Sequence, residues 1–136
     1  MKTRIMLCAL VMAFAAMPAV AMDLDAVKAH EFPNPDSAQE AEVCTAVLLA
    51  FTFAAEDQES EAAKTDSFLG RMWMGIAADK TGTTYNAYLD STAMSDMQSL
   101  AGTDGDTLDL YHTYCQTASK RVIDAAHQAK SGGGAQ

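Results

Sequence analysis

Residues 37–55, SAQEAEVCTAVLLAFTFAA, decide how this chain folds. Ser37 and Glu40 form a capping box: the serine oxygen can accept from the backbone N–H three residues on, and the glutamate can reach back. Cys44, Val47, Leu48, Phe51 and Ala55 then recur at steps of three and four, one stripe of a helix. The other faces carry little charge from Val43 to Ala55, and Leu49 and Phe53 point away from the main stripe. A helix that is apolar nearly all round is normally enclosed by protein. The segment therefore reads as the central helix of a bundle, or as a helix with a second face for a partner.

Three further helices follow on the carboxyl side. The pattern predicts one from about Gln58 to Asp79, with Glu59 and Glu61 in its first turn, where the macrodipole favours acids. Its expected buried stripe is Ala62, Thr65, Leu69, Met72, Trp73 and Ile76. Thr81-Gly82-Thr83 ends it and caps the next, Thr84 to Ala101, with Tyr85, Leu89, Ala93, Met97 and Leu100 on one face. After a turn at Gly102–Asp106 comes a helix from Thr107 to Ala129, with a seam of Leu108, Tyr111, Cys115, Ala118, Val122 and Ala125. Residues 131–136 read as a flexible tail. No stretch alternates with the two-residue period of a strand. The fold class is all-α: a small four-helix bundle over residues 37–130.

On the amino side, residues 22–36 read as an extended arm, because Pro33 and Pro35 disfavour helix and Asn34 suits a turn. Residues 1–21 have the three parts of a secretory signal. Lys2 and Arg4 are the basic start, Ile5–Ala16 the apolar run, and Ala19-Val20-Ala21 the small residues that signal peptidase needs. Cleavage is expected after Ala21, with a periplasmic or secreted product. The apolar run stops at Pro18, short of the roughly 20 residues a spanning helix needs, so no membrane association is expected after cleavage.

Export sets the reading of the cysteines. Cys8 leaves with the signal, so Cys44 and Cys115 remain. In an oxidising compartment two cysteines permit one pairing. Both lie on helix stripes expected in the core, as a bridge between packed helices requires. They are too far apart in the chain for a C-x-x-C redox pair, so the bridge is read as a structural staple.

Export also sharpens the charge. Cleavage removes two bases and no acid from a formal net charge of −9, leaving −11. Nucleic acid phosphates and anionic lipid heads are held mainly by Lys and Arg, and a chain so acidic is repelled by both. A basic protein is the favoured partner.

Motifs that would carry chemistry are weak. Asp104-Gly105-Asp106-Thr107-Leu108-Asp109 looks briefly like a calcium loop, but the sixth and twelfth positions hold Asp109 and Cys115 where Gly and Glu are needed. Asp106 or Thr107 capping a helix is the better reading. Met72, Met74, Met94, Met97 and His112 suggest soft copper ligands, yet Met72 and Met74 face nearly opposite sides of a helix. Met72, Trp73 and Met97 read as core, with Met74 and Met94 partly exposed. His30 falls in the arm and His127 in a last helical turn. No H-E-x-x-H, G-x-S-x-G or P-loop pattern occurs. Neither a cofactor, a metal nor catalysis is expected.

One local oddity is Phe68-Leu69-Gly70-Arg71. Glycine inside a helix costs about 1 kcal/mol against alanine, so close helix packing at Gly70 is expected in compensation. Arg71, one of few bases, is expected to pair with a nearby acid or to hold a ligand anion. Leu49, Phe53 and Arg71 are the candidate interaction surface.

The signal segment, Val43-Cys44-Thr45-Ala46 early in an apolar helix, Phe68-Leu69-Gly70-Arg71 in the next and the late Cys115 together resemble a loose set of short exported proteobacterial proteins with no assigned activity. The resemblance covers Ser37 to about Ile123. It implies a helical fold and adds no function. In outline the chain is also similar to periplasmic immunity proteins that block cell-wall amidases delivered by type VI secretion, and to exported acid-stress chaperones. The expected function is a non-catalytic binding or inhibitory module, immunity-like in form; an acid-stress chaperone is the alternative, and a small enzyme or metal carrier the third reading.

Overall fold

A computed structural model describes residues 22–133. The expected signal segment, with its expected cleavage after Ala21, and Cys8 lie outside the described residues. Within them the chain is all-α, with helices α1 (Leu24–Lys28), α2 (Ala38–Ala54), α3 (Glu61–Lys80), α4 (residues 85–100) and α5 (Gly105–Gly133). No described helix is long and apolar enough to cross a membrane.

The capping box forms as its spacing requires. Ser37 Oγ accepts from the Glu40 N–H at 3.1 Å, and Glu40 Oε1 accepts from the Asp36 N–H at 3.0 Å. Helix α2 is the centre of the bundle, packed against α3, α4 and α5. Every residue from Glu40 to Leu49 is buried, whichever face it occupies. Cys44 bonds Cys115 of α5 across a Cα–Cα distance of 5.3 Å, and both residues are fully buried. Trp73 of α3 is also buried, its indole N–H donating to Ser119 Oγ of α5 at 2.8 Å.

Helix α3 presents a different face from the one its apolar pattern suggests. Ala63, Asp66, Leu69, Gly70, Trp73, Met74, Ala77 and Ala78 are buried, whereas Ala62 and Thr65 are exposed and Met72 and Ile76 half-buried. The reason is steric. Gly70 lets α2 come close, with small buried Ala63 and Ala77 seven residues to either side of it, and Met72 and Ile76 turn to the edge of the buried face. At Gly70 the approach is close: an added Cβ would lie 2.8 Å from Leu49 Cδ2 and 3.3 Å from the Leu49 backbone N. Gly70→Ala is expected to destabilise by about 1 kcal/mol, as overpacking of about 1–3 kcal/mol outweighs the gain of about 1 kcal/mol in helix propensity. Gly75, on the same helix, has nothing within 4 Å of such a Cβ. Gly75→Ala is expected to stabilise by about 0.5–1 kcal/mol. Opposite shifts in denaturation midpoint check both.

Three other segments depart from the sequence-based expectation. The arm at 22–36 is not extended throughout. Asp23 caps α1, accepting from the Ala26 N–H at 3.1 Å, and Val27 is buried. The prolines come after this helix and do not oppose it. It ends with Glu31 N–H to Ala26 O and His30 N–H to Val27 O, the paired bonds of a left-handed stop. His30 takes the positive φ of 58°, and its Nε2 lies 2.8 Å from Thr107 Oγ1. Helix α4 contains a π turn, Leu89–Ala93, between α-helical Tyr85–Tyr88 and Met94–Leu100. The extra residue shifts the face: Tyr88, Thr92, Ala93, Asp96 and Leu100 are buried, while Tyr85 is exposed and Leu89 and Met97 half-buried. Helix α5 begins at Gly105 and runs to Gly133. The start lies before Asp106, with Asp104 Oδ2 accepting from Thr107 Oγ1 at 3.1 Å. Its buried seam is shorter than expected, since Ala125 is exposed, and residues 131–133 of the expected tail continue the helix.

Candidate functional site

The three surface candidates converge. Leu49 and Phe53 stand one turn apart on α2, Ser67, Arg71 and Met74 follow at steps of four and three on α3, and Tyr85 and Leu89 stand one turn apart on α4. Together with Thr52 and Gln58 they line one groove of about 360 Å³. Their roles differ. Leu49 is buried, held over Gly70, and with buried Met74 makes an apolar floor. Phe53 is 67% exposed at the edge, and Tyr85 is exposed as well. Gln58 fixes the connecting loop, its Nε2 donating to the carbonyls of Thr52 and Ala55 at 2.9 Å each.

Arg71 departs from the expectation of an ion pair. It donates from Nε to the Ser67 carbonyl at 3.3 Å, one turn back on its own helix. None of the salt bridges among the described residues includes it. The two arginines among the described residues thus differ. Arg121 binds Asp36 and Glu40, whereas no carboxylate among the described residues engages Arg71.

Two polar constellations lay beyond the reach of sequence patterns. His112 Nε2 lies 2.9 and 3.0 Å from the two oxygens of Asp66, and Phe51 stacks on the imidazole at a centroid distance of 4.0 Å. This has the outline of a base and its orienting acid. The nearest cysteine in sequence, Cys115, is locked in the disulfide, and the neighbouring notch beside Ala50, Phe51, Ala54 and Leu108 is apolar. The pair ties α3 to α5. The second constellation gathers Glu40, Tyr114 and Arg121. Tyr114 Oη donates to Glu40 Oε2 at 2.6 Å, and Arg121 bonds Glu40 Oε1. Burial, then the hydrogen bond to the Glu40 carboxylate, push the Tyr114 phenol well above its usual range. The only signal in the sequence was Glu40 in its capping box; its partners stand more than seventy residues away.

For metals, no group of three or more His, Cys, Asp or Glu side chains among the described residues is arranged to hold an ion. Met74, expected to be partly exposed, is buried on the face of α3 that brings Gly70 against α2. Residues Gly105 to Asp109 open a helix rather than wrap a loop. Compared with models of known protein families, with curated proteins and with solved structures, the chain finds no match.

Proposed function

We propose that this chain is an exported, non-catalytic binding or inhibitory module that engages a basic partner protein through the Phe53–Arg71 groove. The observation that carries this reading is an exposed phenylalanine and an arginine that no carboxylate among the described residues engages, on either side of an apolar-floored depression. Aromatic and arginine side chains are the types that dominate binding energy at protein interfaces. The groove suits one apolar side chain of a partner, with a carbonyl or carboxylate placed to accept from Arg71. A net charge of −11 after signal cleavage would speed encounter with a basic surface and would make binding salt-dependent.

The test is capture of partners from a periplasmic extract at low and high salt, with wild-type protein and the Phe53→Ala/Arg71→Ala double variant. A partner retained at low salt should lose at least about tenfold in affinity to the double variant, as for interface anchors worth more than about 1.4 kcal/mol. Both residues are exposed, so stability should change by no more than about 0.5 kcal/mol. Equal retention by the double variant would remove the groove from the reading. In the immunity-like form of the proposal, the captured partner is a cell-wall amidase that the wild-type chain inhibits.

The acid-stress chaperone reading draws on a different observation. Glu40 is fully buried and joined to Arg121, a tie between α2 and α5 made through its carboxylate. Hydrophobic-dye binding that rises in strong acid, together with protection of an aggregating client, would favour it.

A further inference from the structure

Two acids, Glu42 and Asp96, are buried in the core. Glu42 of α2 is fully buried, and among the described residues neither of its carboxylate oxygens has a hydrogen-bond partner. Asp96 of α4 is 3% exposed, and Tyr88 of the same helix is buried with its hydroxyl also unpartnered. The three act on one another: the Tyr88 phenol is raised by burial and then by the charges of Glu42 and Asp96. No salt bridge among the described residues reaches either carboxylate. Carboxylates so enclosed without a cation are costly, and a fold that keeps two of them side by side calls for a counter-ion.

The group nearest to filling that role is the backbone nitrogen of Met22. Its N–H donates to Asp96 Oδ2 at 3.4 Å, and the Met22 residue is itself buried in the core. Met22 is also the first residue after the expected signal cleavage at Ala21. As a peptide nitrogen it supplies one neutral donor. As a chain terminus it becomes an ammonium with three N–H donors, ordinarily protonated up to a pH of about 7.7–8.0.

We propose that removal of the signal creates the missing counter-ion: the new α-ammonium of Met22 seats between Glu42 and Asp96 beside the Tyr88 hydroxyl, and fastens the amino end of the exported chain to α2 and α4. The site is a cation site, and its occupant is the chain's own terminus. Peptide-bond hydrolysis by signal peptidase supplies both the amine and its proton from water, so no further reactant is needed. The geometry accounts for three features at once. The acids are buried with no side-chain base among the described residues in a salt bridge to either, Met22 is anchored in the core, and Asp23 caps α1 at the very next residue.

The inference rests on the export reading, and its test separates the two. The full-length chain is exported in a bacterial host, purified from periplasm, and its amino terminus is read by mass and sequencing. A comparator carries one threonine inserted between Ala21 and Met22, which moves the new amine one residue, about 3.5 Å of extended chain, out of the site. The readouts are the rate of α-amine acylation against pH and the melting point across the mildly acidic to mildly basic range. In the processed wild type, the amine should titrate at least about one unit above its ordinary value of about 7.7–8.0, and acylation near the ordinary value should be at least about fivefold slower than in the comparator.

The melting profiles should differ in sign. Without the ammonium, burial and the charge of Asp96 hold Glu42 up at about 7, and burial holds Asp96 up at about 6, against ordinary values of 4.5 and 3.8. The folded comparator then binds more protons than the unfolded chain, so its stability falls as pH rises from about 5 through 7. In the processed wild type the ammonium keeps both acids ionised, and stability should hold or rise over the same interval. Glu42→Gln in the processed chain should bring the amine back toward its ordinary titration. An unprocessed amino terminus would overturn the export reading. A terminus at Met22 with ordinary acylation, and with the same melting profile as the comparator, would overturn the counter-ion while leaving export intact.

Discussion

Replacing both Cys44 and Cys115 by alanine is expected to lower stability by about 4 kcal/mol and the melting point by on the order of 15 °C. The bridge spans 71 residues of chain. In the chain-entropy account, closing a loop of that length removes freedom from the unfolded state equivalent to about 4 kcal/mol. The total stability of such domains is about 5–15 kcal/mol, so the loss is a large share. Position adds to length. Helix α5 has a short buried seam, chiefly Tyr111, Cys115, Ala118 and Ser119, and residues 124–131 near its end are exposed. The disulfide fastens this thinly packed helix to the most deeply buried stretch of the molecule. Alanine leaves no new polar group in the core but removes two buried sulfurs, so the reduced wild type, which keeps them, separates the cross-link from their packing. Denaturation of the oxidised wild type, the reduced wild type and the double variant provides the measurement; three coincident midpoints would contradict the assignment of the bridge as a staple.

Arg121→Ala is expected to cost about 3 kcal/mol, far more than an ordinary surface substitution. The cause is the residue it leaves behind. Glu40 is fully buried, and its carboxylate accepts from the Asp36 N–H, Tyr114 Oη and Arg121. Arg121 is its one cationic partner among the described residues. Removing it strands a buried charge, the costly half of breaking a buried pair. The arginine itself is 39% exposed and also meets Asp36, which is open to solvent, and that second contact is worth little. Arg121→Lys should recover only part of the loss, since an ammonium cannot reproduce the planar fork. A double-mutant cycle of Glu40→Gln with Arg121→Ala should show coupling above about 1 kcal/mol that changes little with salt, because one partner lies beyond the reach of screening ions. Additive losses would mean that the pair contributes no more than a surface bridge.

The same residues mark how far sequence patterns carry. The capping box at Ser37 and Glu40 is local chemistry, complete within four residues, and it forms as its spacing dictates. The apolar circumference of α2 implied enclosure, and the two stripe cysteines implied each other. The exposure of Phe53 and Arg71 was legible because an apolar residue off the main stripe and an isolated base are conspicuous in an acidic chain. That they share one groove was not legible, since it depends on how α2 and α3 are rotated against each other. The rotation brings Gly70 against Leu49 of α2, with Ala63 and Ala77 buried on the same face, while Met72 and Ile76 of the expected stripe move to its edge. The π turn in α4 is a further example, because one extra residue in a turn moves every later side chain without altering composition.

Local order was thus written into the chain: the all-α class, the helix that others surround, the pairing of its two stripe cysteines. Those features depend on neighbours a few residues away or on there being only one partner to choose. Packing settled the rest, including the buried state of Glu40, Glu42, Asp66 and Asp96, the face α3 shows, and the helix hidden in the amino-terminal arm. An acid on a helix has the same local preferences whether water or protein covers it. The distinction is made by groups far away in the chain, whose charges and volumes meet it only after the fold has closed.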